Sequence, residues 1–208
     1  MFVIKTVLLN LVLTLFYYII STTIINSIIM GVPHFRFSRT CRMYDFLITK
    51  LNRIDFQNGK ECSAFSAAYV LRHWNIEKHG EDLYKIMPNK RMDGSVYPKG
   101  IVKLLSQYGF DTTYCIGTIN ALKNEVSKGT PVIVLIRTYK DANYLHFVPV
   151  VGYNQHDIFI ADSLKELANC KEQYYNRKIP IKEFKRLWNT SMLKMPLYRN
   201  IYIVASKK

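Results

Sequence analysis

The sequence predicts an α+β domain preceded by a single apolar helix, and three observations carry that expectation. Residues 6–33 hold no charged side chain, a run longer than the ~20 apolar residues that span a bilayer. From residue 62 to residue 128 apolar side chains recur mostly at helical spacing, and beyond Gly129 they gather into short β-branched runs. Helices first and antiparallel strands after is the segregated arrangement of an α+β fold.

Composition bounds the function classes. With 49% apolar and 13% aromatic residues the chain can bury an ordinary core, which argues against disorder. Of the net charge of +14, residues 34–208 carry +13, because Lys5 is the only charged residue before them. The basic residues are spread without any nucleic-acid motif, so nucleic acid is not an expected partner; a membrane surface or an acidic peptide suits a tethered basic domain. Cys41, Cys62, Cys115 and Cys170 lack metal-ligand spacing and are too sparse for a disulfide framework. His73 and His79, six apart, do not share a helix face. Neither metal nor cofactor is expected.

Residues 1–33 exceed the ~7–15 apolar residues of a signal peptide and lack its small-residue cleavage pattern. They read as a single-pass transmembrane anchor in preference to a signal-like segment, placing the protein at the cell membrane. Lys5 on one flank against Arg36, Arg39 and Arg42 on the other leans toward a cytoplasmic domain by too small a margin to decide the side. Residues 34–51 form a basic, aromatic, membrane-proximal connector, and residues 52–208 form the folded domain.

Within that domain, Asn58 and Gly59 punctuate a loop that runs into a helix opening at Cys62, with Ala64, Ala67, Ala68, Leu71 and Trp74 on one stripe. Three alanines on the inner face allow close packing. A thiol in the first turn sits where backbone N–H groups and the helix dipole favour the thiolate. A short helix over 80–87 is stopped by Pro88, and a polar loop surrounds Asp93-Gly94. A helix from Pro98 presents Ile101, Leu104, Leu105 and Tyr108 and ends at Gly109. A strand over 111–116, a helix over 119–128 and a central strand over 131–136 follow. Two strands, 144–153 and 157–161, are joined by Asn154-Gln155-His156. A helix over 179–188 and a strand over 201–205 close the chain.

Side chains alternate along a strand, so His146, Val148 and Val150 share a face. A turn pivoting on Asn154 would set His146 directly opposite Asp162, within reach of an imidazole–carboxylate hydrogen bond. A cysteine at a helix entrance and a histidine oriented by an acid are the parts of a thiol nucleophile system. The backbone N–H of Cys62 and the side-chain amide of Gln57 are the natural donors to a developing oxyanion. Taken singly, a cysteine on an alanine-rich helix is a small core residue and a strand histidine a satisfied core group; the joint pattern points to catalysis.

Gln57, Glu61-Cys62 and Ala64, followed by His146-Phe147-Val148-Pro149-Val150-Val151-Gly152-Tyr153 and Ile158-Phe159-Ile160-Ala161-Asp162-Ser163, resemble papain-like cysteine peptidases. The branch that trims double-glycine leaders from bacteriocin precursors is the most similar, over about residues 52–165. The resemblance implies a helical half carrying the cysteine packed on an antiparallel sheet carrying the histidine. It implies Cys62 as nucleophile, His146 as general base, Asp162 as its orienting partner and Gln57 as oxyanion-hole donor. The expected activity is hydrolysis of a leader or exported peptide through an acyl-enzyme, with a peptide or protein as substrate. The same thioester resolved by an amine would make the chain an amidase or acyltransferase; a non-catalytic, membrane-tethered peptide binder would have no need of the intact Cys–His–Asp set. Four positions depart from the family pattern: Glu61 where aspartate is common, Ser63 where glycine is usual, Ser163 where proline typically follows the acid, and a Gln–Cys interval one residue shorter.

Overall fold

The computed structural model describes residues 2–139, 144–192, 195 and 198–207. Helix α1 (Phe2–Met30) exposes large apolar side chains from Ile4 to Ile28 and enters the domain only through its C-terminal end, from Asn26 on. There Met30 joins the core, Asn26 is buried, and Lys99 Nζ donates to the Ile28 carbonyl at 3.3 Å. Among the described residues, this is the one helix long and apolar enough to cross a membrane.

Helices α2 (Cys62–His73), α3 (Gly80–Ile86) and α4 (Pro98–Gln107) form the helical half. The α2 stripe faces inward as its spacing requires: Ala64, Ala67, Ala68 and Leu71 are fully buried. Pro98 opens α4, where a missing N–H costs nothing. Gly109, at φ +83, lets the chain leave that helix through a left-handed residue.

The other half is a sheet of strands β1 (His34–Arg36), β2 (Phe46–Leu47), β3 (Phe110–Gly117), β4 (Val132–Arg137), β5 (Leu145–Tyr153), β6 (Asp157–Ile160), β7 (Arg177–Pro180) and β8 (Ile201–Lys207). Their order is β1-β3-β8-β4-β5-β6-β7, with β2 also pairing β5. Val132 to Ile136 are buried on both faces, which is why an unbroken apolar run becomes the central strand. One face packs on α2 and α4; the other is covered by α5 (Ile119–Val126) and α6 (Ile181–Trp188), around Val134, Val148, Phe184 and Trp188.

The architecture is the expected α+β fold, with two local differences. First, the sheet is mixed, since β1 pairs parallel to β3. Parallel neighbours need a long crossover, and the helical half supplies it. The connector residues 34–36 and 46–47 are thus sheet members. Second, residues 179–180, read as the start of a helix, end β7, whose Arg177 and Ile179 point inward while Lys178 and Pro180 stay exposed. Pro180 lacks an N–H, and α6 begins directly after it.

Candidate active site

Cys62 is the first residue of α2, and His146 is the second residue of β5. The two elements are tied next to the site, where Ser66 Oγ donates to the Phe147 carbonyl at 2.9 Å. His146, 2% exposed, donates from Nε2 to Asp162 Oδ1 at 2.8 Å, and it lines the same cleft as Cys62. Burial opposes a charged imidazole, but the hydrogen bonds and charges of Asp162 and Cys62 outweigh it and push His146 up to about 9. Burial would likewise raise Asp162. The His146 hydrogen bond, the charges of His146 and Arg177, and the Leu164 N–H hold its carboxyl below its ordinary value instead.

The contact between His146 and Asp162 forms through a register other than the one expected from a pivot at Asn154. Tyr153 pairs with Ile158, Gly152 with Phe159 and Val150 with Ile160, with a bulge between Val150 and Gly152. The turn therefore centres beyond Gln155. Ala161 N donates to the Pro149 carbonyl at 3.0 Å, so continuing that register sets Asp162 across from Val148. His146 is the diagonal neighbour two residues along the same face, a separation that a long side chain spans. Gly152 permits the irregularity, because a Cβ there would meet the Phe46 carbonyl oxygen at 2.7 Å and the Phe159 ring at 3.0 Å.

Gln57 reaches the same cleft as Cys62 and His146. Its Oε1 accepts from Ser163 Oγ at 2.7 Å, its backbone N–H donates to the Ser163 carbonyl at 2.9 Å, and its Nε2 donates to the Gly59 carbonyl. A side-chain amide carries two N–H donors, so one stays available to a ligand. The four sequence-assigned residues, Cys62, His146, Asp162 and Gln57, thus come together. Ser63, the departure beside the cysteine, is buried with a hydroxyl that finds no partner among the described residues.

Sequence reasoning missed three residues. Ser163 entered only as a departure from a family pattern, yet it holds Gln57. Asn176 and Arg177 were unassigned, in a polar stretch without a motif. Asn176 Oδ1 accepts from Asp162 N at 2.7 Å and Nδ2 donates to the Asp162 carbonyl at 2.8 Å, while Arg177 Nη1 donates to Asp162 Oδ2 at 2.8 Å. The available signal was physical: a buried carboxylate needs more donors than one histidine.

The cleft measures about 580 Å³, within the size range of ligand sites. Val96, Tyr97, Leu135, Phe147, Met195 and Tyr198 line its apolar part, and Lys60, Arg91, Asp93 and Glu166 bring charge to it. No group of three histidine, cysteine or carboxylate side chains suited to a metal occurs among the described residues.

Comparison with known proteins gives a consistent setting. The model of the Peptidase_C39 like family matches residues 48–192. No curated protein matches. The peptidase domain of Streptococcus ComA, a bifunctional ABC transporter of a quorum-sensing pathway, superposes with a TM-score of 0.56 at 15% identity, covering 74% of this chain and 97% of that one. A double-glycine-motif protease from an AMS/PCAT transporter, solved with its leader peptide, gives 0.51 at 22% identity over 76% and 93%. A cysteine protease of Carica candamarcensis gives 0.57 at 12% identity over 80% and 99%. At these identities the likeness shows the fold, which is papain-like.

Proposed function

Because this chain belongs to the Peptidase_C39 like family and is a cysteine peptidase by that membership, we propose that it hydrolyses a peptide bond at Cys62 from a position anchored in the membrane by α1. The observation that carries the reading is His146, buried, held on Nε2 by Asp162 at 2.8 Å and lining one cleft with Cys62. His146 takes the thiol proton and Asp162 keeps the imidazolium aligned. The Cys62 sulfur attacks the substrate carbonyl carbon, and the oxyanion is met by the Cys62 backbone N–H and the free Nε2 proton of Gln57. Collapse breaks the C–N bond while His146 protonates the leaving amine. Water, deprotonated by His146, then releases the acid and restores the thiol. A leader-type peptide is the substrate class favoured by the similar protease solved with a leader peptide. The exposed apolar length of α1, from Ile4 to Ile28, supports the anchor.

The test is alkylation by iodoacetate across pH with site-resolved mass spectrometry, beside cleavage of a leader-type peptide. Cys62 is expected to react fastest at mildly acidic pH, and Cys62→Ala to abolish cleavage. Labelling of Cys62 no faster than that of Cys115 or Cys170, with cleavage intact in Cys62→Ala, overturns the reading.

A further inference from the structure

Asp162 lies past the end of β6, where no strand ladder holds it. The last bond of that kind is made by Ala161 to Pro149. A catalytic acid in such a stretch must be held from elsewhere, and Asn176, just before β7, and Arg177, its first residue, do so. Asn176 grips the Asp162 backbone at both N–H and carbonyl, at 2.7 and 2.8 Å, while the Arg177 guanidinium takes Oδ2 at 2.8 Å. The other oxygen, Oδ1, is left to His146 and to the Leu164 N–H, at 2.8 and 2.9 Å. We propose that Asn176-Arg177 is a positioning clamp for the acid, in which Asn176 sets where Asp162 sits and Arg177 sets how its carboxylate is turned toward His146. The inference rests on the catalytic reading of Cys62, His146 and Asp162 given above.

The two residues divide the labour. Asp162 is 0% exposed and the Arg177 side chain 8%, so water cannot replace a lost donor. With Arg177 gone, Oδ2 would seek another donor, and the carboxylate would turn to find one, drawing Oδ1 off the imidazole. The charged or titratable groups acting here are His146 and Arg177 on Asp162, and Asp162 and Cys62 on His146. Weakening the Asp162 bond leaves burial less opposed, so His146 gives up its proton at lower pH. The guanidinium's own repulsion of the imidazolium acts the other way, from the far side of the carboxylate.

Iodoacetate labelling of Cys62 reads this without a known substrate. The imidazolium draws the anionic reagent, so the rate falls as His146 deprotonates. In the full chain, Arg177→Met is expected to move that descending limb to lower pH and to slow the plateau by about tenfold, a modest share of what a mispositioned base costs. Arg177→Lys restores most of both, since an ammonium can still meet Oδ2. Asn176→Ala shifts the limb the same way. Arg72→Met, which breaks a guanidinium–carboxylate pair between buried Arg72 and half-buried Asp55, lowers Tm with the limb unmoved. If Arg177→Met does not fold, Arg177→Lys and Asn176→Ala decide: limbs of both coincident with wild type overturn the clamp. So does an Arg177→Met profile that matches wild type at lowered Tm, which would mark a structural ion pair, or a limb moved to higher pH. A wild-type Cys62 without enhanced reactivity overturns the catalytic reading itself, and the clamp with it.

Discussion

Ser163 has a hydroxyl that takes up a role beside Gln57. By donating to Gln57 Oε1 at 2.7 Å it fixes which end of the amide is turned toward Ser163, in a side chain that lines the cleft. Ser163→Ala should lower kcat by about tenfold with KM nearly unchanged, and Gln57→Ala by the ~10²–10³ typical of a lost oxyanion donor. Steady-state kinetics on a cleavable peptide check both; a change confined to KM would remove Gln57 from the oxyanion site. His146 sets the pH response. Its folded value of about 9 lies above the ordinary 6.5, so the stability it contributes is complete below pH 6.5 and is lost as pH rises through about 9. Asp162 is depressed below 3.8, so its contribution holds above that value and is lost as pH falls further. The descending limb of kcat/KM is expected near pH 9, and Tm should decline across the same interval. A limb near pH 6.5 would contradict the His146–Asp162 bond.

Helix α2 shows how an element converts residue size into position. Ala64, Ala67 and Ala68 are completely buried, which lets the helix approach β5 closely enough for Ser66 to reach the Phe147 carbonyl. That same approach carries Cys62 to His146. Ala67→Leu should cost about 1–3 kcal/mol by overpacking, lowering Tm by roughly 2–12 °C for a chain of this size. It should also slow Cys62 alkylation, because the helix must move off the strand. Calorimetry and labelling on one sample test the link; a lowered Tm with unchanged labelling would show that the thiol is placed independently of the stripe.

For the molecule as a whole, the boundary between the exposed part of α1 and the domain does not fall where the apolar run ends. Asn26 and Met30 are buried in the domain, and Lys99 binds the Ile28 carbonyl. Deleting residues 1–25 is therefore expected to release the protein from membranes with Tm intact. Deleting residues 1–31 also removes Met30 from the core and should cost a further 2–5 kcal/mol, the scale of a Met→Ala cavity. Membrane fractionation and thermal melts of the two chains decide this. Equal Tm values would show that the last turn of α1 contributes nothing to the fold.

Local pattern determined much of this protein. Helical spacing, proline and glycine stops and β-branched runs are short-range signals, so α2 to α5 and the strands from Phe110 to Ile160 were legible. Cys62, His146, Asp162 and Gln57 were also named from residue type, and the structure brings them together; their chemical tasks are those of the proposal. Long-range pairing decided the rest. The parallel seat of β1 depends on what α2 to α4 leave uncovered. The His146–Asp162 contact arises from a bulge between Val150 and Gly152 and a diagonal reach that strand alternation does not encode. Arg177, Asn176 and Ser163 meet the site because β6 and β7 pair and because Gln57 folds back on the loop after Asp162. Periodicity reports which face of an element is apolar; which polar group a buried carboxylate meets is settled only when separate elements pack.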